Sequence, residues 1–319
     1  MAGAMFSRLC VSAVVVASPV QSASFDDWLV ELRTEAREQG ISQNTLDGAL
    51  AGLQPLPRVL ILQRRQPEST LSYSDYLRRV VPDARVRQGR QAMVEHSAVL
   101  EQVAARYGLQ PRFIVALWGI ESDFGQGTGN TPTVPALATL AHGGRRQSYF
   151  RRELIAALKI LDRRGMDGNQ LRGSWAGALG QCQFMPSNYL RLAVDFDADG
   201  DPDIWNSEPD VFASIAHYLS REGWRDDETW GRPVLLPAGF DARLAGSAVR
   251  VKLERWQRLG VRRLNEGDLP TRDLWASLMI PDGLSGRAFL VYDDFQKLLR
   301  WNRSIHFALA VGELSDRLQ

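Results

Sequence analysis

The sequence predicts a mainly α-helical protein carrying a small β-containing lobe, and three observations lead there. Apolar residues recur at helical spacing along residues 25–222, in segments punctuated by Gly and Pro. Between Gly223 and Tyr292 the composition shifts to Pro, Gly and short β-branched runs such as Pro233–Leu236 and Val249–Leu253. Helical patterning then returns and closes the chain over Trp301–Leu318. At 319 residues, 45% hydrophobic and 24% charged, the chain can bury a substantial core in one large domain or two to three lobes. The expected division is a helical region over 23–110, a core over 111–222, the β-containing lobe over 223–292, and a C-terminal helix over 293–319 that packs back on the core.

The first residues read as an export signal. Arg8 supplies the basic n-region, Leu9–Val20 the apolar stretch, and Val20-Gln21-Ser22-Ala23 the small residues of a cleavage site, so residues 1–22 are expected to be removed. The apolar stretch is too short to span a bilayer as a mature helix. Loss of Arg8 takes the formal net charge from +1 to 0, and nothing points to electrostatic capture of nucleic acid. Of the two cysteines, Cys10 lies in this segment, so the mature chain is expected to have no internal disulfide. Cys182, with no obvious partner histidine nearby in sequence, reads as a small buried hydrophobe and not as a nucleophile.

Phe25–Gly40 and Ser42–Leu53 are two short amphipathic helices, after which Gln54-Pro55-Leu56-Pro57 breaks the pattern. Ser74–Tyr107 is mostly helical, interrupted at Val81-Pro82 and stopped by Gly108. Pro111 is placed to open the next helix and Gly125 to close it, with Phe113, Ala116, Leu117 and Ile120 on one face. Glu121 then falls in the last turn, one step beyond a largely apolar segment. Desolvation and the negative end of the helix dipole would both favour its protonated form, which is the form a general acid requires. The glycine-rich Gln126–Thr133 suits a loop lining a cleft. Pro135–His142 and Ser148–Arg164 are again helical, residues 169–193 mix helix with a tight glycine-rich turn, and Phe212–Glu222 is a helix announced by Glu208-Pro209-Asp210.

The second informative stretch is Gly173–Pro186. Gly177 and Gly180 allow close backbone approach, and Gln183 offers an amide for a sugar hydroxyl or acetamido group. Taken with Glu121-Ser122, Phe124-Gly125 and Gln183-Phe184-Met185-Pro186, these residues resemble the motifs of the lytic murein transglycosylases, in particular the lytic transglycosylase B family. The likeness runs from about Phe25 to the C-terminus and includes Ala136–Leu140, Val194-Asp195-Phe196 and Arg300-Trp301-Asn302. It implies a lysozyme-like helical core, a peptidoglycan glycan strand as substrate, and a single catalytic carboxyl that maps onto Glu121. Ser174, Gln183, Tyr218 and Asn302 match family residues near the glycan, and Arg145-Arg146 matches a basic pair associated with the stem peptide, where guanidinium groups suit carboxylates. One departure stands out. The family commonly has Tyr-Asn where this chain has Trp301-Asn302, so the role of a phenol hydroxyl is lost or replaced, and Trp301 reads first as a core residue.

Asp195, Asp197, Asp199, Asp201 and Asp203 stand at positions 1, 3, 5, 7 and 9 of a loop with Gly200 at position 6, the ligand spacing of an EF-hand. Position 12 is Asn206 and not the bidentate Glu, while Asp210 matches the family's late acidic ligand. A structural calcium ion held by Asp195, Asp197, Asp199, Asp201 and Asp210 is expected, with modest affinity and no part in the chemistry.

The leading functional expectation is cleavage of the bond between N-acetylmuramic acid and N-acetylglucosamine to give 1,6-anhydromuramoyl ends, with Glu121 as acid and then base and no cofactor for the chemistry. A hydrolysing muramidase, which needs a second carboxyl, stands beside it; Asp123 lies two residues on and points about 200° away around a helix. A calcium-binding, non-catalytic peptidoglycan adaptor is the third reading, against which the intact Glu121 argues. The implied setting is periplasmic and the expected state monomeric, with other cell-wall enzymes as open partners.

Overall fold

The computed structural model describes residues 24–64 and 71–319, and the expected export segment lies outside them. The first helices are α1 (Phe25–Glu38), α2 (Gln43–Leu50), α3 (Pro57–Gln63), α4 (Tyr73–Val80), α5 (Asp83–Glu95) and α6 (Ser97–Tyr107). Hydroxyls of Ser24, Ser42 and Ser72 accept backbone N–H groups at the starts of α1, α2 and α4, Pro57 begins α3, and Gly108 ends α6 in the left-handed region at φ 64°. The proline break between Val81 and Asp83 falls where the sequence places it.

Next in order come α7 (Pro111–Ser122), β1 (Thr131–Pro132), α8 (Thr133–Gly143), α9 (Gln147–Arg164), β2 (Arg172–Gly173), α10 (Pro186–Leu192) and α11 (Glu208–Arg221). The lobe holds β3 (Gly231–Leu235), β4 (Val251–Lys252), α12 (Leu253–Arg258), β5 (Arg262–Arg263), β6 (Trp275–Met279) and β7 (Ala288–Val291), and the chain closes with α13 (Asp293–Trp301) and α14 (Ile305–Arg317). This mainly helical architecture with a small sheet is the predicted fold class.

Helix α7 is buried around its whole circumference from Phe113 to Gly119, beyond the single apolar face its spacing suggested, because α5, α6, α11 and α14 all pack against it. Its end also differs from expectation. It stops at Ser122, and Asp123 (φ 52°) and Phe124 (φ 57°) take left-handed conformations before Gly125 is reached. Three contacts hold this turn. Arg85 Nη2 donates to Asp123 Oδ1 at 2.8 Å, Ser122 Oγ accepts the Gly125 N–H at 3.1 Å, and the Phe124 ring folds back onto Gly119, where an added Cβ would lie 2.7 Å from the ring. The expected single C-terminal helix is two, because Asn302 Oδ1 accepts the Ser304 N–H and Ser304 Oγ caps α14 by accepting the Phe307 N–H.

The lobe is an antiparallel sheet in the order β4-β6-β7-β3-β5. Strand alternation splits it between two cores: Phe289 and Val291 join the helical core, while Ala288, Leu290 and Tyr292 pack with Leu253 and Trp256. Trp230 docks the lobe on α14 at Gly312, where a Cβ would stand 2.2 Å from the indole.

On α13, Asp294 is fully buried, accepts one backbone N–H from Arg225, and has its Oδ2 without a hydrogen-bond partner. Burial, with the Glu228 charge adding, pushes it up from 3.8 to about 7. The folded state therefore holds a proton there that the unfolded chain releases, so this group's contribution to stability falls as pH rises from 3.8 to about 7 and is level above. Asp294→Asn should flatten that slope in denaturant titrations at stepped pH, and an unchanged slope would contradict the assignment.

Candidate active site

Glu121 is half-buried in the last turn of α7. The antiparallel pairing of β1 with β2, strands separated in sequence by α8 and α9, sets Thr131 opposite Gly173 and ties the loop after α7 to the Gly173–Pro186 stretch. Gln183 (φ 49°) reinforces the tie, its Nε2 donating to the carbonyls of Thr128 at 3.0 Å and Gly180 at 2.9 Å. The two motifs carrying the sequence signal are thus brought together by backbone pairing and one side-chain amide. Ser174 Oγ is engaged locally, accepting N–H groups from Ala176 at 3.3 Å and Ala178 at 3.1 Å.

Trp301 is the residue whose role the sequence understated. Its indole N–H donates to Glu121 Oε1 at 2.6 Å. The ring lies against Tyr218 at 4.6 Å and Phe184 at 5.3 Å between centroids, and Tyr218 donates its hydroxyl to the Arg300 carbonyl at 2.8 Å. Burial, with the Glu222 charge adding, pushes the Tyr218 phenol up to about 12, so it stays a donor. An indole thus donates to Glu121 at the position where the resemblance led to the expectation of a phenol.

Trp301 and Asn302 line a cavity of about 800 Å³, together with Arg146, Tyr149, Glu153 and Tyr218. Arg146 stacks its guanidinium over Tyr149 at 4.0 Å, whereas exposed Arg145 is absent from the lining and pairs through its backbone with Gln63. Arg303 joins Arg146 on the wall, which makes the cavity suited to carboxylates. Glu153, missed in the sequence because its partner lies 34 residues on, is the one carboxylate in the lining among the described residues. Both its oxygens are engaged: Oε2 accepts the Ser187 N–H at 2.9 Å and Oε1 the Ser187 hydroxyl at 2.8 Å, at the start of α10. Asp123 is paired with Arg85.

Two buried groups brace the site. Gln181 accepts the Trp118 indole N–H at 2.7 Å and donates to the Trp205 carbonyl at 2.8 Å, linking α7 to the aspartate loop; nothing in the sequence sets it apart from its neighbours. Cys182 is fully buried, and burial, with the Glu121 charge adding, pushes its thiol up, away from the nucleophilic thiolate.

In the aspartate loop, carboxylate oxygens of Asp195, Asp197 and Asp210 lie within 4.8 Å of one another. Asp201 is turned to Arg164, whose Nη1 and Nη2 donate to its two oxygens at 2.7 and 2.6 Å, and Asp199 Oδ1 accepts the Asp201 N–H at 2.9 Å. Asp210 has no exposed surface, and burial raises its carboxyl above the usual range. Clustered hard oxygen donors, one of them buried, fit a calcium ion.

The family profile described as transglycosylase SLT domain matches residues 24–316. The membrane-bound lytic murein transglycosylase B of Escherichia coli is 29% identical over 301 residues, covering 88% of this chain and 79% of that protein. Among solved structures, SltB3 of Pseudomonas aeruginosa in complex with NAG-NAM-pentapeptide superposes with a TM-score of 0.87 at 44% identity, over 92% of this chain and 79% of that one. Escherichia coli Slt35 in complex with calcium gives 0.78 at 27% identity, over 92% of each chain. On the extent of the profile match, this chain belongs to the SLT-domain transglycosylases.

Proposed function

We propose that the protein is a peptidoglycan lytic transglycosylase in which Glu121 works alone, first as acid and then as base. The observation that carries this reading is the pairing of Glu121 with a donor at a cavity whose own carboxylate, Glu153, is spent on Ser187. A two-carboxylate glycosidase needs its second acid facing the bond. The related SltB3 has been crystallised with NAG-NAM-pentapeptide and with NAG-anhNAM-pentapeptide, a substrate-like and an anhydro ligand.

Glu121 protonates the glycosidic oxygen as the bond to C1 of the muramoyl unit breaks. The substrate's 2-acetamido group stabilises the positive centre; Asn302, on the cavity wall, orients the sugar, with Ser174 and Gln183 on the adjoining Gly173–Pro186 stretch in support. The Glu121 carboxylate then removes the proton of the 6-hydroxyl, whose oxygen closes onto C1; no water is consumed and Glu121 regains its acid form. Such closure gains over capture of water through proximity when the hydroxyl is held in near-attack geometry. Arg146 and Arg145 serve the stem-peptide carboxylates, with Arg146 on the cavity wall. Turbidity of sacculus suspensions should fall without new reducing termini; reducing ends appearing in step with clearing would overturn the reading.

The setting this substrate implies is the periplasm, and no helix among the described residues is long and apolar enough to cross a membrane. A calcium ion on Asp195, Asp197 and Asp210 would brace the core without entering the chemistry. Binding only to the folded state adds about 2.7 kcal/mol at a hundred times the dissociation constant. Millimolar calcium should therefore raise the melting temperature over that in chelator, and Asp197→Ala should remove the difference; a calcium-independent melting curve would leave the loop an acidic turn.

A further inference from the structure

We propose that Trp301 is a positioning residue for the reaction: its indole N–H fixes Oε1 of Glu121 and so assigns the transferable proton to Oε2. The inference rests on the transglycosylase reading above. The indole N–H lies 2.6 Å from Glu121 Oε1 across 180 residues of sequence. Indole is a donor only, so its hydrogen is satisfied by an oxygen that carries no proton. A hydroxyl oxygen accepts less strongly than a carbonyl oxygen, so the acid form of Glu121 that keeps this bond at full strength is the one protonated at Oε2. Once that proton has gone to the leaving oxygen, the same N–H becomes a charge-assisted hydrogen bond to the carboxylate. A hydroxyl at this place would rotate between donating and accepting and would assign neither oxygen.

The indole can do this because it is immobilised from several sides. Tyr218 on α11 and Phe184 on the Gly173–Pro186 stretch hold the ring, and Tyr218 also anchors the preceding carbonyl at Arg300. Beyond it, Asn302 Oδ1 accepts the Ser304 N–H at 3.0 Å and ends α13 at Trp301. The break between α13 and α14 thus serves to aim one N–H at the catalytic carboxyl.

Two replacements test this: Trp301→Phe, and substitution of Trp301 by β-(3-benzothienyl)alanine, which keeps the bicyclic shape but puts sulfur where the N–H is. Product analysis of the wild-type protein comes first, since absence of anhydromuramoyl ends there overturns the transglycosylase reading itself. With that reading standing, both replacements should lower kcat by about ten- to a hundredfold while KM stays within about twofold. The alkaline limb of the kcat–pH profile should move to higher pH, because a donor to the carboxylate has been removed. The benzothienyl variant should melt as the wild type does. Wild-type kcat and pH profile in that variant would overturn the proposal. So would a fall in kcat that only tracks a fall in melting temperature, with the pH limb unmoved, since that marks a packing role.

Discussion

Glu121→Gln should retain the fold and lose wall-degrading activity by about a hundred- to ten-thousandfold, the usual contribution of a general acid–base group. The amide is nearly isosteric, and its carbonyl oxygen can still accept the Trp301 N–H, so the contacts that close α7 against α13 survive. What it cannot do is release a proton to the glycosidic oxygen and take another from the 6-hydroxyl. The loss should therefore appear in kcat, with substrate retention on sacculi unchanged. Release of soluble muropeptides at a comparable rate by the well-folded variant would remove Glu121 from the mechanism.

Gln181→Ala should be among the most damaging substitutions for stability that leave the cavity lining untouched. Gln181 is buried, and its amide satisfies two groups that have been taken out of water, the Trp118 indole N–H and the Trp205 carbonyl. Truncation strands both, and each stranded group costs about 1–3 kcal/mol. A loss of about 2–4 kcal/mol in denaturant titration is expected, in the range reserved for broken buried networks. Trp118 lies on α7 three residues before Glu121, so the loosened helix should also lower activity at temperatures where the variant remains folded. A cost under about 0.5 kcal/mol, as for an ordinary surface change, would contradict the bridging role.

The parts of the fold written in local patterns were legible. Pro111 followed by an apolar run announced α7, and the composition change after Gly223 announced the lobe. Where tertiary contacts decided the outcome, local pattern fell short. Gly125 was the obvious helix terminator, yet Arg85 and the folded-back Phe124 ring hold two non-glycine residues in the left-handed region ahead of it. The interruption at Asn302–Ser304 contains neither Gly nor Pro, and side-chain capping creates it.

The site divides the same way. Resemblance supplied Glu121, and the structure sets Ser174 and Gln183 on a stretch tied to the loop after α7. Glu153 and Trp301 could not be read from spacing, because each acts through a partner distant in sequence, 34 and 180 residues away. In the aspartate loop, spacing alone made Asp201 equivalent to its neighbours, while Arg164, on α9, draws it into an ion pair.

Initial-rate digestion of purified sacculi in heavy-oxygen water, read by mass spectrometry, tests the account most directly. If Glu121 works alone and the muramoyl 6-hydroxyl closes onto C1, the new ends are 1,6-anhydromuramoyl, lighter by one water than hydrolytic ends and free of heavy oxygen. Predominantly reducing muramic acid ends carrying one heavy oxygen would show that water is the nucleophile and contradict the single-carboxyl mechanism.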